Sequence, residues 1–153
     1  MTPDAARIAH LADALAQAER ALPAGSRFRP WIAHARTELP VARHGGRISA
    51  AQVAWLETRR RELERERPPW PRLAVSVSPA AIRLRQAGAL SRRASRLVRR
   101  DDGDACFAAY LAALSRLLFA IARALDGELY VRRERQPLLR AGEQHLDRGL
   151  APG

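Results

Sequence analysis

The sequence ACFAAYLAALSRLLFAIARAL, residues 105–125, is the most apolar stretch of the chain. Its large apolar side chains surround nearly the whole circumference of a helix, a pattern typical of a helix that is buried on several sides. The stretch has the length of a membrane span, but Arg116 lies at its centre and Arg123 follows, and charge in the middle of a bilayer is costly. We therefore predict the central helix of a helical bundle, with no membrane partner.

Start and stop signals ahead of this stretch predict three further helices. The first begins at residues 2–4, where threonine is a suitable N-cap and proline a suitable first helical residue, and it ends at 23–25. A short second helix is predicted for 31–39, which a proline opens and another proline closes. Ser49 and Gln52 match a capping box, in which each side chain satisfies a backbone N–H of the other residue, and they start the third helix.

The segment between the third helix and the central helix has two interpretations. Prolines make 68–71 a stiff extended connector and an internal boundary, because each proline removes a backbone donor and restricts the residue before it. Alternating apolar residues then begin a strand, which either gives way to a helix over 78–100 or forms a small β-hairpin over 73–86 with 81–86 as its return strand. Gly88 favours the hairpin slightly, because glycine would interrupt a 22-residue helix.

The ends of the central helix carry their own signals. Asp104 is a suitable N-cap, and Asp126-Gly127 is a suitable C-terminal stop with glycine just beyond the last helical residue. Residues 128–135 fit either a helix or a strand, and Pro137 opens a last short helix. Residues 149–153 are predicted to be a disordered tail.

The length of 153 residues fits one domain. We predict a single, mainly α-helical domain over residues 1–148, a bundle of five or six helices around 105–125. The single cysteine, Cys106, excludes an internal disulfide and is expected to be a small core residue. Because no secretory signal pattern is found at the N-terminus, we expect a cytoplasmic protein.

Positive charge is concentrated in one part of the chain. The net charge is +11, every one of the 27 basic residues is arginine, and residues 67–100 hold nine arginines without a single aspartate or glutamate. The use of arginine in place of lysine is typical of a GC-rich genome, but that bias does not explain why residues 67–100 contain no aspartate or glutamate. Segregated charge builds a field that attracts a polyanion, so nucleic acid, DNA or RNA, is the leading partner.

Guanidinium groups form two-pronged hydrogen bonds to phosphate, which makes the arginines of this window the candidate binding residues. In the hairpin interpretation, two of them point to one face of a ribbon that fits a groove of nucleic acid. Trp70 either anchors the connector to the core or offers a platform for a base. The alternative is a solvated helix face, or a surface that docks an acidic protein or another copy of the chain. The candidate nucleic-acid-binding residues are Arg83, Arg85, Arg92, Arg93, Arg96, Arg99, Arg100 and Trp70.

Other polar residues give no pattern typical of catalysis. The aspartates at 101, 102 and 104 fit helix capping better than magnesium binding, and the histidines are too far apart in sequence for a zinc motif. The glycine-containing run 42–47 lacks the strand, helix and terminal lysine of a nucleotide-binding loop. We therefore expect no metal, no cofactor and no enzymatic activity.

Overall fold

The computed structural model describes residues 3–43, 47–66 and 78–150, with side chains for 5–40, 47–66 and 78–129. Within these ranges the backbone forms five α-helices and no strand. The predicted mainly α-helical bundle is thereby confirmed. The predicted connector 68–71 and the last three residues of the predicted tail lie outside the described residues. The helices are α1 (Pro3–Ala21), α2 (Arg29–Arg43), α3 (Ala50–Glu66), α4 (Pro79–Arg100) and α5 (Ala105–Leu150).

The apolar part of α5 forms the centre of the bundle. Tyr110, Leu114, Leu118 and Ile121 are fully buried, and α3 and α4 both pack along the helix. Residues 105–129 have the length and hydropathy of a membrane span, yet 61% of their apolar window is buried inside the fold. The prediction of a central core helix is confirmed.

The predicted end of the central helix at Asp126 and Gly127 is wrong, because α5 continues to Leu150. The Asp126 carboxylate is buried and accepts a hydrogen bond from the Ser78 backbone N–H at 3.1 Å and one from the Arg85 guanidinium at 3.3 Å. What resembles a stop signal in the sequence is thus a tertiary contact that holds the start of α4. Local sequence does not reveal such a contact.

Two prolines that were predicted as helix boundaries lie inside helices. α2 continues past Pro40 to Arg43, and the backbone of α5 runs through Pro137. A proline within a helix forfeits one backbone hydrogen bond, a local cost that the rest of the helix outweighs here. Residues 128–135 and the last short helix are therefore parts of one long α5, and residues 149–150 of the predicted tail belong to it as well.

The slightly favoured hairpin at 73–86 is also wrong, because residues 81–86 lie in α4. Ser78 is the N-cap of this helix, and its hydroxyl accepts the Ala81 backbone N–H at 3.3 Å. Gly88 is buried against the ring of Phe119 on α5, so close that an added Cβ would lie 3.1 Å from the Phe119 Cε2 atom. Gly88, which we interpreted as a helix break, thus lies where α4 packs closely against a side chain of α5.

Three buried serines use this close approach. The Ser91 hydroxyl donates to the Leu111 carbonyl at 2.6 Å, and the Ser95 hydroxyl donates to the Ala108 carbonyl at 2.7 Å. In the opposite direction, the Ser115 hydroxyl of α5 donates to the Gly88 carbonyl of α4 at 2.8 Å. Every one of these hydroxyls is therefore satisfied, as burial of a polar group requires.

The capping box at the start of α3 is confirmed. The Gln52 side-chain oxygen accepts the Ser49 backbone N–H at 2.7 Å, and the Ser49 hydroxyl accepts the Gln52 backbone N–H at 3.4 Å. We expect Ser49→Ala to lower the free energy of unfolding by about 1 kcal/mol, because one end of the box is lost. Urea denaturation followed by circular dichroism measures the change. Thr58→Ala, at an exposed position within α3, is the control and should be neutral or slightly stabilising; equal losses in both variants would contradict a role for the cap.

Candidate nucleic-acid interface

The outer side of α4 carries a row of arginines. Small and apolar side chains at 84, 87, 91, 94 and 98 face the core. The five arginines between residues 92 and 100 lie within an arc of about 120° beside this buried stripe, because each residue advances a helix by about 100°. All five of these arginine side chains are exposed. We call this row the basic face of α4; it consists of Arg92, Arg93, Arg96, Arg99 and Arg100.

The arginines of the basic face differ from those of α3 in their partners. In α3, Arg60 contacts Glu57 at 3.3 Å and Glu64 at 3.2 Å, and Arg59 contacts Glu62 at 3.4 Å. Within the part of the chain that the structure describes, no acid forms an ion pair with any arginine of the basic face. No described acid therefore neutralises the guanidinium groups of the basic face.

A hydrogen bond from another helix reinforces the balance of charge on α3. The Arg116 guanidinium of α5 donates to Glu57 at 2.7 Å, and this bond is the main cause that holds the pKa of the Glu57 carboxyl below its ordinary value. The carboxylate thus stays ionised among the arginines around it. The acids and arginines of α3 thus neutralise one another, whereas no described acid neutralises the basic face.

Arg83 and Arg85 differ from the arginines of the basic face because both contact residues of other helices. The ribbon geometry predicted for them is wrong because residues two apart on a helix point to nearly opposite sides. Arg83 donates to Gln17 of α1 at 3.1 Å, and Arg85 contacts the buried carboxylate of Asp126 at 3.3 Å. Both side chains thus connect α4 to neighbouring helices, and Trp70 lies outside the described residues.

The field of the basic face is not uniform along α4. Asp101 and Asp102 are exposed directly after Arg100, and the C-terminal end of a helix carries partial negative charge. Both effects weaken the attraction for phosphate near the last turn. The positive field is therefore strongest around residues 92–96.

Of the residues considered for metal binding or reactivity, Asp104 has a structural role. The Asp104 carboxylate accepts the backbone N–H of Cys106 at 2.9 Å and that of Phe107 at 3.4 Å, so its predicted role as the N-cap of α5 is confirmed. Among the described residues, no group of three or more histidine, cysteine or acidic side chains could hold a metal ion. Cys106 is exposed, and the expectation of a buried cysteine is wrong because the first turn of α5 lies outside the core.

A buried polar cluster was not predicted from the sequence. The Glu38 carboxylate is buried and accepts hydrogen bonds from the Tyr110 hydroxyl at 3.1 Å and from the Gln52 amide at 2.7 Å. His34 contacts the same carboxylate at 3.2 Å and stacks on Trp55. Burial, with a smaller effect from the carboxylate, raises the pKa of Tyr110. This cluster joins α2, α3 and α5, and its buried carboxylate and hydroxyl are paired with each other, so we assign it to the core.

Comparison with known proteins adds no assignment. No protein-family model matches the sequence, and no curated protein is significantly similar to it. The functional conclusion therefore depends on the geometry and charge of the basic face.

Proposed function

We propose that this protein is a small, non-enzymatic accessory protein that binds nucleic acid through the basic face of α4. One observation carries the proposal: five exposed arginines share one helix side and none forms an ion pair with a described acid. Arginines that only keep a surface soluble are usually interspersed with acids, as they are on α3.

The basic face suits phosphate better than it suits bases. Arg96 lies four residues after Arg92 and four before Arg100, so guanidinium groups recur about every 6 Å along the helix. Regularly spaced guanidinium groups can hold successive phosphates, and phosphate contacts position a protein without selecting a sequence. Trp70 and the two arginines bound to other helices are not needed for this mode of binding.

The salt dependence of binding tests the proposal. Each neutralised phosphate releases counterions, so log affinity falls with log salt by about 0.9 per contact for duplex DNA and about 0.7 for single strands. If four arginines contact phosphate, we expect a duplex slope of roughly −3 to −4, with little preference among unrelated sequences. Fluorescence anisotropy with labelled oligonucleotides at several salt concentrations measures both properties. A slope near zero, or no binding in low salt, would contradict the proposal.

Charge reversal locates the binding surface. We expect the triple variant Arg92→Glu, Arg96→Glu and Arg99→Glu to weaken oligonucleotide binding at least about tenfold in low salt and to flatten the slope. Its melting temperature should change by less than about 5 °C, because the replaced side chains are exposed.

The matched control places the same charge changes elsewhere. Arg20→Glu, Arg61→Glu and Arg65→Glu change three exposed arginines of α1 and α3 and lower the net charge equally. This set should reduce binding much less than the set on α4. An equal loss of oligonucleotide affinity in both sets would show that binding depends only on net charge, and this would contradict a binding site on the basic face.

A further inference from the structure

A groove of about 410 Å³ lies between α1 and α4, beside the basic face. Its floor is apolar, since Leu90 and Leu97 are half-buried two helical turns apart on the same side of α4. Ala94 is buried between them and also borders a smaller apolar cavity that reaches the core. The groove is lined by Ala6, Arg7 and His10 of α1 and by Leu90, Arg93, Ala94 and Leu97 of α4.

The rim of the groove is cationic or hydrogen-bond donating. Arg93 of α4 and His10 of α1 are both exposed at its edges. Arg7 of α1 is half-buried, and its guanidinium lies 3.8 Å from the Asp101 carboxylate at the end of α4. An arginine offers a forked set of donors, and a histidine offers an N–H in either protonation state. No acid lines the groove among the described residues.

We propose that this groove binds a single-chain amphiphile with an anionic head group, of the fatty-acid type. The alkyl chain lies along Leu90, Ala94 and Leu97, and the carboxylate is held by Arg93 and His10. This site is independent of the proposed function, although Arg93 belongs to both surfaces.

The dimensions of the groove favour a small ligand. Its volume falls within the range of about 300–1,000 Å³ that is typical of small-molecule sites. The two leucines are separated by about 10 Å along the helix axis, which suits a short alkyl chain. A stable protein partner normally buries at least about 1,200 Å² in total, more than a groove of two helical turns offers.

The probe is sodium decanoate below its micelle-forming concentration, titrated into the full chain with the leucine methyl groups observed by NMR. We expect saturable one-to-one binding, with shifts centred on the methyl groups of Leu90 and Leu97. Octanoate should bind at least about threefold more weakly, because two methylene groups fewer are buried. Decyltrimethylammonium, with the same chain and opposite charge, should bind at least about tenfold more weakly than decanoate.

Two pairs of variants test the head-group contact. Ala6→Glu places a carboxylate at an exposed position on the groove and should weaken decanoate binding at least about fivefold, whereas Ala51→Glu, at an exposed position near the start of α3, should not. Arg93→Gln should likewise weaken binding, and Arg96→Gln on the outer side of α4 should not. Equal binding of the cationic amphiphile, or equal loss in a control variant, would overturn the proposal.

Two further measurements separate this site from other surfaces. The triple variant of Arg92, Arg96 and Arg99 should keep decanoate binding within about twofold while it loses oligonucleotide binding. If the protein binds decanoate but no oligonucleotide, the result would support the groove as a binding site and contradict the proposed nucleic-acid binding. Binding to phosphatidylglycerol vesicles without saturable binding of monomeric decanoate would overturn the groove proposal in favour of a membrane surface.

Discussion

Replacement of Leu114 or Leu118 by alanine is expected to lower the free energy of unfolding by about 2–5 kcal/mol. Both side chains are fully buried in the central part of α5, where they contribute to the contact with the other helices. Loss of a leucine there removes buried apolar surface and leaves a cavity that close packing cannot fill. For a domain whose total stability is about 5–15 kcal/mol, either change removes a large fraction of it.

Urea denaturation followed by circular dichroism measures these losses. Ile82→Ala is the control, since Ile82 is the most exposed large apolar side chain among the described residues, at 45%. It should cost clearly less than the α5 variants, because nearly half of the side chain stays in water and its loss leaves no enclosed cavity. If the α5 variants unfold at the same urea concentration as the control, the central position assigned to α5 is wrong.

Gly88→Leu is expected to destabilise the protein by about 1–3 kcal/mol. A Cβ at this position would lie 3.1 Å from the Phe119 Cε2 atom, so a leucine side chain must displace the Phe119 ring or push α4 and α5 apart. Separation lengthens the serine-to-carbonyl bonds between the helices, and each buried hydroxyl left without a partner costs about 1–3 kcal/mol.

Helix propensity alone predicts that Gly88→Leu stabilises the protein, so the direction of the measured change distinguishes the two effects. Glycine is less favourable than alanine or leucine within a helix by about 0.8–1 kcal/mol. Ala89→Leu, one residue further on and exposed, is the control and should leave the melting temperature almost unchanged. A gain in melting temperature for Gly88→Leu would show that α4 and α5 do not require close approach.

Those elements of the fold that rest on local chemistry could be predicted from the sequence. The capping box at Ser49 forms as predicted because its hydrogen bonds join residues only three positions apart. The core position of residues 105–125 follows from an apolar pattern that leaves a helix no polar side.

The errors arise where a distant residue changes the meaning of a local signal. Gly88 indicates a helix break until Phe119 of another helix is known to lie against it. Asp126 resembles a helix stop, but its partner is the start of α4, 48 residues earlier. The Glu38 cluster is hidden for the same reason, since the Tyr110 hydroxyl that it binds is 72 residues away in sequence.

The candidate binding surface was only partly accessible to sequence analysis. The sequence identifies residues 67–100, which contain the basic face, because arginines and acids can be counted without a structure. The window does not reveal that Arg83 and Arg85 have partners on α1 and α5. The groove was missed entirely, because three of its seven lining residues come from α1, which is distant from α4 in sequence.

The position of Cys106 has a practical consequence for spectroscopy. It is the only cysteine of the chain, and it is exposed in the first turn of α5, shortly after the last arginines of the basic face. A maleimide dye or a nitroxide spin label can therefore be attached at one defined point without replacing any residue. Quenching or relaxation enhancement from that point would report how near a bound oligonucleotide comes to the end of α4.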